Sequence, residues 1–127
     1  MANREFINID NSSICMETPF TQDRIFTAAD STDVAAGTIL KLVGEKYELA
    51  ESADTFDAVL QYDLAVSTAG DLPIRPVLAG KVRADKIFLA AAPTTALTVS
   101  QKAKLKTNGI LAVDVEELSK FNNPGSI

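Results

Sequence analysis

The chain contains no histidine and no tryptophan, and Cys15 is its only cysteine. Without a second cysteine there can be no internal disulfide and no cysteine-pair metal site. The lack of histidine removes the commonest ligand of zinc and non-haem iron, and also the usual base of nucleophilic catalysis. We therefore expect neither a metal or other cofactor nor an enzyme activity.

Carboxylate pairs give little reason to change this expectation. Two carboxylates can perform acid–base chemistry without histidine. The candidate pairs fall in loops or exposed stretches, where a carboxylate is solvated and keeps its ordinary pKa. They are Asp54 with Asp57, Glu116 with Glu117, and Asp30 with Asp33.

The charge balance and the scarcity of aromatics disfavour nucleic acid as a partner. The formal net charge is −5 at pH 7, and aromatic residues make up 6% of the chain. Affinity for phosphate backbones comes largely from Lys and Arg, and bases stack on aromatic side chains. The nearest approach to a basic patch is Lys102, Lys104 and Lys106.

Long apolar runs are also missing. No run approaches the roughly 18 apolar residues that a membrane span needs, and the first residues do not have the pattern of a secretory signal peptide. We expect a soluble protein that is synthesised in the cytoplasm and has no membrane partner.

The first 33 residues differ in composition from the rest. They are rich in Asn, Ser, Thr and Asp, and their apolar residues stand in short groups, of which residues 6–9 could form a short strand. This predicts an extended N-terminal arm over residues 1–33 that docks onto a larger partner, and a body over residues 34–127. The alternative is a loosely packed terminus that merely straps the body. The predicted anchors of the arm are Phe6, Ile7, Ile9, Ile14 and Phe26.

The body is a series of short apolar runs separated by turn residues. Residues 38–42 and 46–49 flank Gly44 and predict a hairpin. The clearest alternation runs over residues 58–66, and a further strand is predicted over residues 72–82. Pro73 and Pro76 lack backbone donors, so this last strand should begin at a sheet edge or a bulge.

One helix is well signalled near the C-terminal end. Thr98 and Gln101 have the spacing of a capping box, in which each side chain satisfies a backbone N–H near the other. Asn108 and Gly109 are typical of a helix end, although the same pair could form a hairpin turn. A last strand is predicted over residues 110–115. The fold class is mainly β with one short helix, in a small barrel-like or sandwich-like body.

The order of apolar and turn positions between residues 35 and 113 resembles a known family. It is similar to the head decoration proteins of tailed bacteriophages, the capsid-cementing proteins of the lambda type. The most recognisable part is the lysine-rich helix that runs into Gly109, Ile110 and a strand. The residues that carry the resemblance are Gly37-Thr38-Ile39-Leu40-Lys41, Ala58-Val59-Leu60 with Asp63, Val77, Gly80-Lys81-Val82, Ile87, Lys102-Ala103-Lys104-Leu105-Lys106 and Asn108-Gly109-Ile110-Leu111.

The resemblance implies a structural protein with a β-tulip-like body and a location on the outer surface of the virion. It implies a homotrimer that sits at local three-fold positions of the expanded head and stabilises the shell. The N-terminal arm of such proteins becomes ordered on the shell and pairs with the major capsid protein, which is therefore the implied partner.

Two alternatives remain open at this stage. Another virion module, such as a part of a tail or fibre, would share a small barrel of this kind. A carrier or ligand-binding β-domain in the lipoyl style would display one lysine on a tight hairpin, whereas Lys81 and Lys86 are predicted to lie in or after a strand.

Overall fold

The structure is a computed structural model that describes residues 14–114. These residues form eight strands, one α-helix and one 3₁₀ turn. The strands are β1 (Phe20–Thr21), β2 (Arg24–Ala28), β3 (Ile39–Val43), β4 (Lys46–Leu49), β5 (Ala58–Val59), β6 (Gly70–Ile74), β7 (Val77–Arg83) and β8 (Ile110–Val113), with the 3₁₀ turn at Ala84–Lys86 and helix α1 at Val99–Thr107.

The strands form one curled sheet, a half-barrel, so the predicted mainly β, barrel-like body with one helix is confirmed. The strand order is β1-β7-β5-β3-β4-β2-β6, and β8 pairs with β7 in parallel. The two ends of this order are tied by side chains, because the Arg75 guanidinium donates to Thr21 Oγ1 (3.2 Å) and lies 3.6 Å from the Asp23 carboxylate.

Local signals predicted two elements correctly. β3 and β4 form the expected antiparallel hairpin, with Gly44 at a φ of 65° in the turn. Helix α1 has the expected capping box, since Thr98 Oγ1 accepts from the Gln101 N–H and Gln101 Oε1 accepts from the Thr98 N–H. Asn108 is the C-cap, so the helix prediction is confirmed over the hairpin turn.

Two predicted strands are shorter in the structure. Within residues 58–66 only β5 is a strand. Leu64, further along, forms an isolated bridge with Val34 in a loop and does not pair with a strand. Residues 72–82 divide at Arg75 and Pro76 into β6 and β7. β6, which contains Pro73, is the last strand of the sheet order, as expected for a residue without a backbone donor.

The buried apolar residues form two clusters. One lies between α1, β7 and β8 and includes Leu105, Val82 and Ile110. The other lies under β2 and β4 and includes Phe26 and Tyr47. The curl of the sheet allows each cluster to be enclosed by strands that are distant in sequence.

The described part of the predicted N-terminal arm, from Ile14 onward, packs against the body. Arg83 N–H donates to the carbonyl of Ile14 (2.8 Å) and Met16 N–H donates to the carbonyl of Lys81 (3.1 Å), so the chain lies along β7 from Ile14 onward. β1 and β2 then belong to the sheet. Residues 14–33 are therefore part of the body, and residues 1–13, with the strand predicted at 6–9, lie outside the described residues.

Candidate functional site

The structure places two of the five predicted anchor residues in the interior. Ile14 is 4% exposed in the cluster next to α1, and Phe26 is 1% exposed at the centre of β2. Their side chains pack inside the body, which leaves little of either surface exposed. Phe6, Ile7 and Ile9 lie outside the described residues, and their role as anchors stays a prediction.

A cleft of about 320 Å³ opens beside β2 and the end of β4, and we call it the Leu49 cleft. Its volume is at the lower end of the range of about 300–1,000 Å³ for ligand pockets. Most of its lining is apolar, and this chemistry suits the docking of an apolar group. The lining residues are Phe26, Ala28, Ala29, Asp30, Thr32, Asp33, Val34, Ala35, Thr38, Leu49, Phe88 and Ala90.

Leu49 is the lining residue whose exposure is least expected from its position in the sheet. It pairs with the fully buried Leu40 across the hairpin, so both side chains lie on the core-facing side of the sheet. Leu49 nevertheless remains 37% exposed. Leu42 lies on the same face two residues further along β3 and is 46% exposed, but it does not line the cleft.

One wall of the cleft is fixed by a reciprocal brace of hydrogen bonds. Val34 and Leu64 exchange both backbone bonds, at 2.9 and 2.8 Å. Each of these residues follows an aspartate whose carboxylate accepts from a backbone N–H of the opposite segment. The two carboxylate bonds are Ala36 N–H to Asp63 Oδ1 and Val66 N–H to Asp33 Oδ1, each 2.8 Å.

The carboxylates at the cleft therefore accept hydrogen bonds from backbone N–H groups. Asp33 holds Val66, and Asp30 Oδ1 accepts from the Thr32 N–H (3.0 Å) within the loop. In the other carboxylate pair that the structure describes, Asp54 accepts from the Glu51 N–H and then from Lys41, and both interactions hold its pKa below the ordinary value of 3.8. Such a carboxylate is a poor proton donor near neutral pH.

The other side chains considered for chemistry are the thiol of Cys15 and the lysines Lys81 and Lys86. Burial raises the pKa of the Cys15 thiol, which favours its neutral form over a nucleophilic thiolate. Lys81 lies within β7 and Lys86 in the 3₁₀ turn, not at a hairpin tip. Within residues 14–114, no group of three or more Cys, Asp or Glu side chains could hold a metal ion, and no helix is long and apolar enough to cross a membrane.

A polar cluster on the outer face of the sheet links three strands. Lys46 on β4 and Thr27 on β2 both donate to the carboxylate of Asp71 on β6, at 2.5 and 2.9 Å. The hydrogen bond from Lys46, followed by that from Thr27, lowers the pKa of Asp71 below 3.8, and the same bond to Asp71 raises the pKa of Lys46 above 10.5.

This cluster predicts a pH-dependent contribution to stability. The pKa of Asp71 is depressed in the folded state, so its contribution is present above the unfolded value of 3.8 and is lost as the pH falls through the folded value. The Asp71→Asn variant should therefore be less stable than the parent near neutral pH and equal to it at about pH 2. Urea unfolding across this range measures the difference, which should be small because both side chains are about half exposed.

The matched control for this variant is Asp23→Asn, because the Asp23 side chain is 90% exposed and its distance to Arg75 is 3.6 Å. A stability difference for Asp71→Asn that persists unchanged at low pH would contradict the role given to its charge.

Comparison with known proteins gives no assignment. No protein-family model, no curated protein and no solved structure matches the chain.

No local pattern in the sequence indicates the Leu49 cleft. Leu49 and Phe88 are separated by 39 positions, and each is an ordinary apolar residue of a short run. The one available signal was that Asp33 and Asp63 each stand directly before an apolar residue. That signal is too common to predict a brace between two particular segments.

Proposed function

We propose that this chain is a structural, non-enzymatic capsid decoration protein that binds the outer surface of an expanded phage head as a homotrimer and stabilises the shell. The observation that carries the proposal is the sequence of residues 102–111, the most recognisable part of the resemblance. In the structure these residues form most of α1 and the first half of β8, which pairs in parallel with β7.

The position at which the chain enters the body supports a division of labour between arm and body. Ile14 is bonded to Arg83 at the end of β7, and residues 1–13 precede it. Phe6, Ile7 and Ile9 supply apolar side chains in this otherwise polar stretch. An extended segment of this kind binds an open sheet edge by main-chain hydrogen bonds, with its apolar side chains entering pockets.

Trimerisation would make such attachment tight. Ordering a short segment costs conformational entropy, so one arm binds weakly. Three arms on one trimer raise the effective concentration of the second and third contacts, which increases the overall affinity without new interactions. The major capsid protein is the partner that this proposal requires.

The arm provides the test of this proposal. In the full chain, replacing Phe6, Ile7 and Ile9 together with serine should leave the body folded and the oligomeric mass unchanged. It should weaken binding to expanded heads by at least about a hundredfold, because each buried apolar side chain contributes roughly 1.5–3 kcal/mol. Cosedimentation with purified heads that lack their own decoration protein measures the affinity.

The control is the double variant Leu118→Ser and Phe121→Ser, which removes apolar side chains near the other end of the chain and should bind as the parent does. Unchanged binding of the triple variant would refute the role of the arm. A parent chain that is monomeric and does not bind heads would refute the proposed function itself.

A further inference from the structure

We propose that the Leu49 cleft binds residues 6–9 of the same chain when the protein is not attached to a partner. The inference concerns the isolated protein, and it stands whether or not the chain decorates a capsid. It names an occupant for an apolar surface that the described residues leave open.

The lining of the cleft fits an apolar occupant. Phe88 is a partly exposed aromatic residue of the lining, and Leu49 keeps 37% of its surface exposed although it lies on the core-facing side of the sheet. Covering this surface removes apolar area from water, which is the dominant favourable contribution to most docking. A volume of about 320 Å³ is sufficient for a few large side chains.

The path of the chain brings residues 6–9 within reach. Ile14 packs in the same core cluster as Ile87 and Leu89, the two neighbours in sequence of the cleft residue Phe88. Phe6 precedes Ile14 by eight residues, which span roughly 26 Å when extended. The segment therefore starts from the core cluster that contains both sequence neighbours of Phe88, with roughly 26 Å of extended chain available to reach the cleft.

Composition favours residues 6–9 over the other segment outside the described residues. Three of these four residues are large and apolar, and none is charged. In residues 115–127, by contrast, the large apolar residues stand apart from one another along the chain, at Val115, Leu118, Phe121 and Ile127.

The test uses the full chain and a single fluorescent probe. The sequence contains no tryptophan, so Phe6→Trp introduces the only one. We expect its emission to be shifted to shorter wavelength, and its quenching by acrylamide to be several-fold weaker, than in the urea-unfolded protein. Adding Leu49→Asn should abolish both effects, whereas Leu42→Asn, on the same face but outside the cleft, should abolish neither.

A second measurement does not depend on the folding of the Leu49→Asn variant. In the methyl NMR spectrum of the otherwise unaltered chain, Phe6→Ala should shift the Leu49 and Val34 signals through the lost ring current and leave Leu42 unchanged.

Other outcomes overturn the proposal. They are a fully exposed indole in the Phe6→Trp variant, protection that survives Leu49→Asn in a folded protein, and cleft methyl signals that respond to Phe121→Ala instead. Protection that is lost on dilution together with the oligomer would assign the cleft to the segment of a second copy and refute binding within one chain. None of these readouts involves capsids, so they are independent of the test of the proposed function.

Discussion

Replacement of Gly37 with alanine is expected to destabilise the body by at least about 4 kcal/mol, which is a large part of the total stability of a typical domain. Gly37 has a φ of 97°, and a Cβ at this position would lie 2.0 Å from the backbone oxygen of Lys86 and 3.3 Å from the ring of Phe88. A contact of 2.0 Å with backbone cannot be relieved by a change of rotamer.

The hydrogen bonds of Gly37 explain why the backbone cannot move away. Its N–H donates to the carbonyl of Leu60 (2.7 Å), and its carbonyl accepts from the Phe88 N–H (3.0 Å). A shift that relieved the clash would break these bonds and separate the segments that carry Leu60 and Phe88. The strain would therefore be transmitted to both core clusters.

Gly44→Ala is the matched control for this prediction. Gly44 also has a positive φ, of 65°, but nothing lies within 4 Å of the position that its Cβ would occupy. This variant should lose only about 1–2 kcal/mol, the cost of a left-handed conformation for an L-residue. Equilibrium urea unfolding compares the two variants, and a Gly37→Ala loss no larger than that of Gly44→Ala would contradict the clash.

Leu105→Ala is expected to cost about 2–5 kcal/mol and to detach the helix from the sheet. Of the nine described residues of α1, Leu105 alone is buried, with no exposed surface. It packs in the cluster that contains Val82 and Ile110. Truncation would remove the main apolar anchor of the helix and leave a cavity between α1 and the sheet.

The polar contacts of α1 should not compensate for this loss. Lys104 donates to the Ser52 carbonyl (2.9 Å) and lies 4.3 Å above the Phe56 ring, and Asn108 donates to the Phe56 carbonyl (2.8 Å). Each such contact contributes about 1 kcal/mol. Once Leu105 is truncated, these contacts hold only one side of the helix.

Val99→Ala provides the control in the same helix, because Val99 is 84% exposed. Its effect should stay within about 0.5 kcal/mol, since alanine is a better helix former and no packing is lost. Urea unfolding monitored by circular dichroism measures both variants. Equal losses at the two positions would show that Leu105 does not anchor the helix.

Elements that are held by interactions between near neighbours could be predicted from the sequence, whereas those held by long-range contacts could not. The capping box joins Thr98 and Gln101 across three positions, and the hairpin joins β3 to β4 through a turn at Gly44, so neighbouring residues were sufficient to predict both. The alternation over residues 58–66 predicted one face with Leu60, Tyr62 and Val66, but Tyr62 is 69% exposed while the other two are buried. The segment does not continue as a strand, because the partner of Leu64 is Val34.

The predicted arm illustrates the same limit. Low apolar density over residues 1–33 suggested a segment outside the core, yet Phe26 pairs with Leu72 in β6 and with Tyr47 in β4. One large apolar residue with two long-range partners is sufficient to bring a polar stretch into a sheet. The average composition of a segment does not show where a single residue such as Phe26 finds its partners.

The sequence by itself determined that the body is mainly β and that its one helix lies between Thr98 and Asn108. These properties follow from residue types and from the alternation of neighbours along the chain. Only the tertiary structure decided that residues 14–33 pack with the sheet and that a cleft exists beside Leu49. Both depend on contacts between residues tens of positions apart, and those contacts form only when the sheet curls and closes the distance in space.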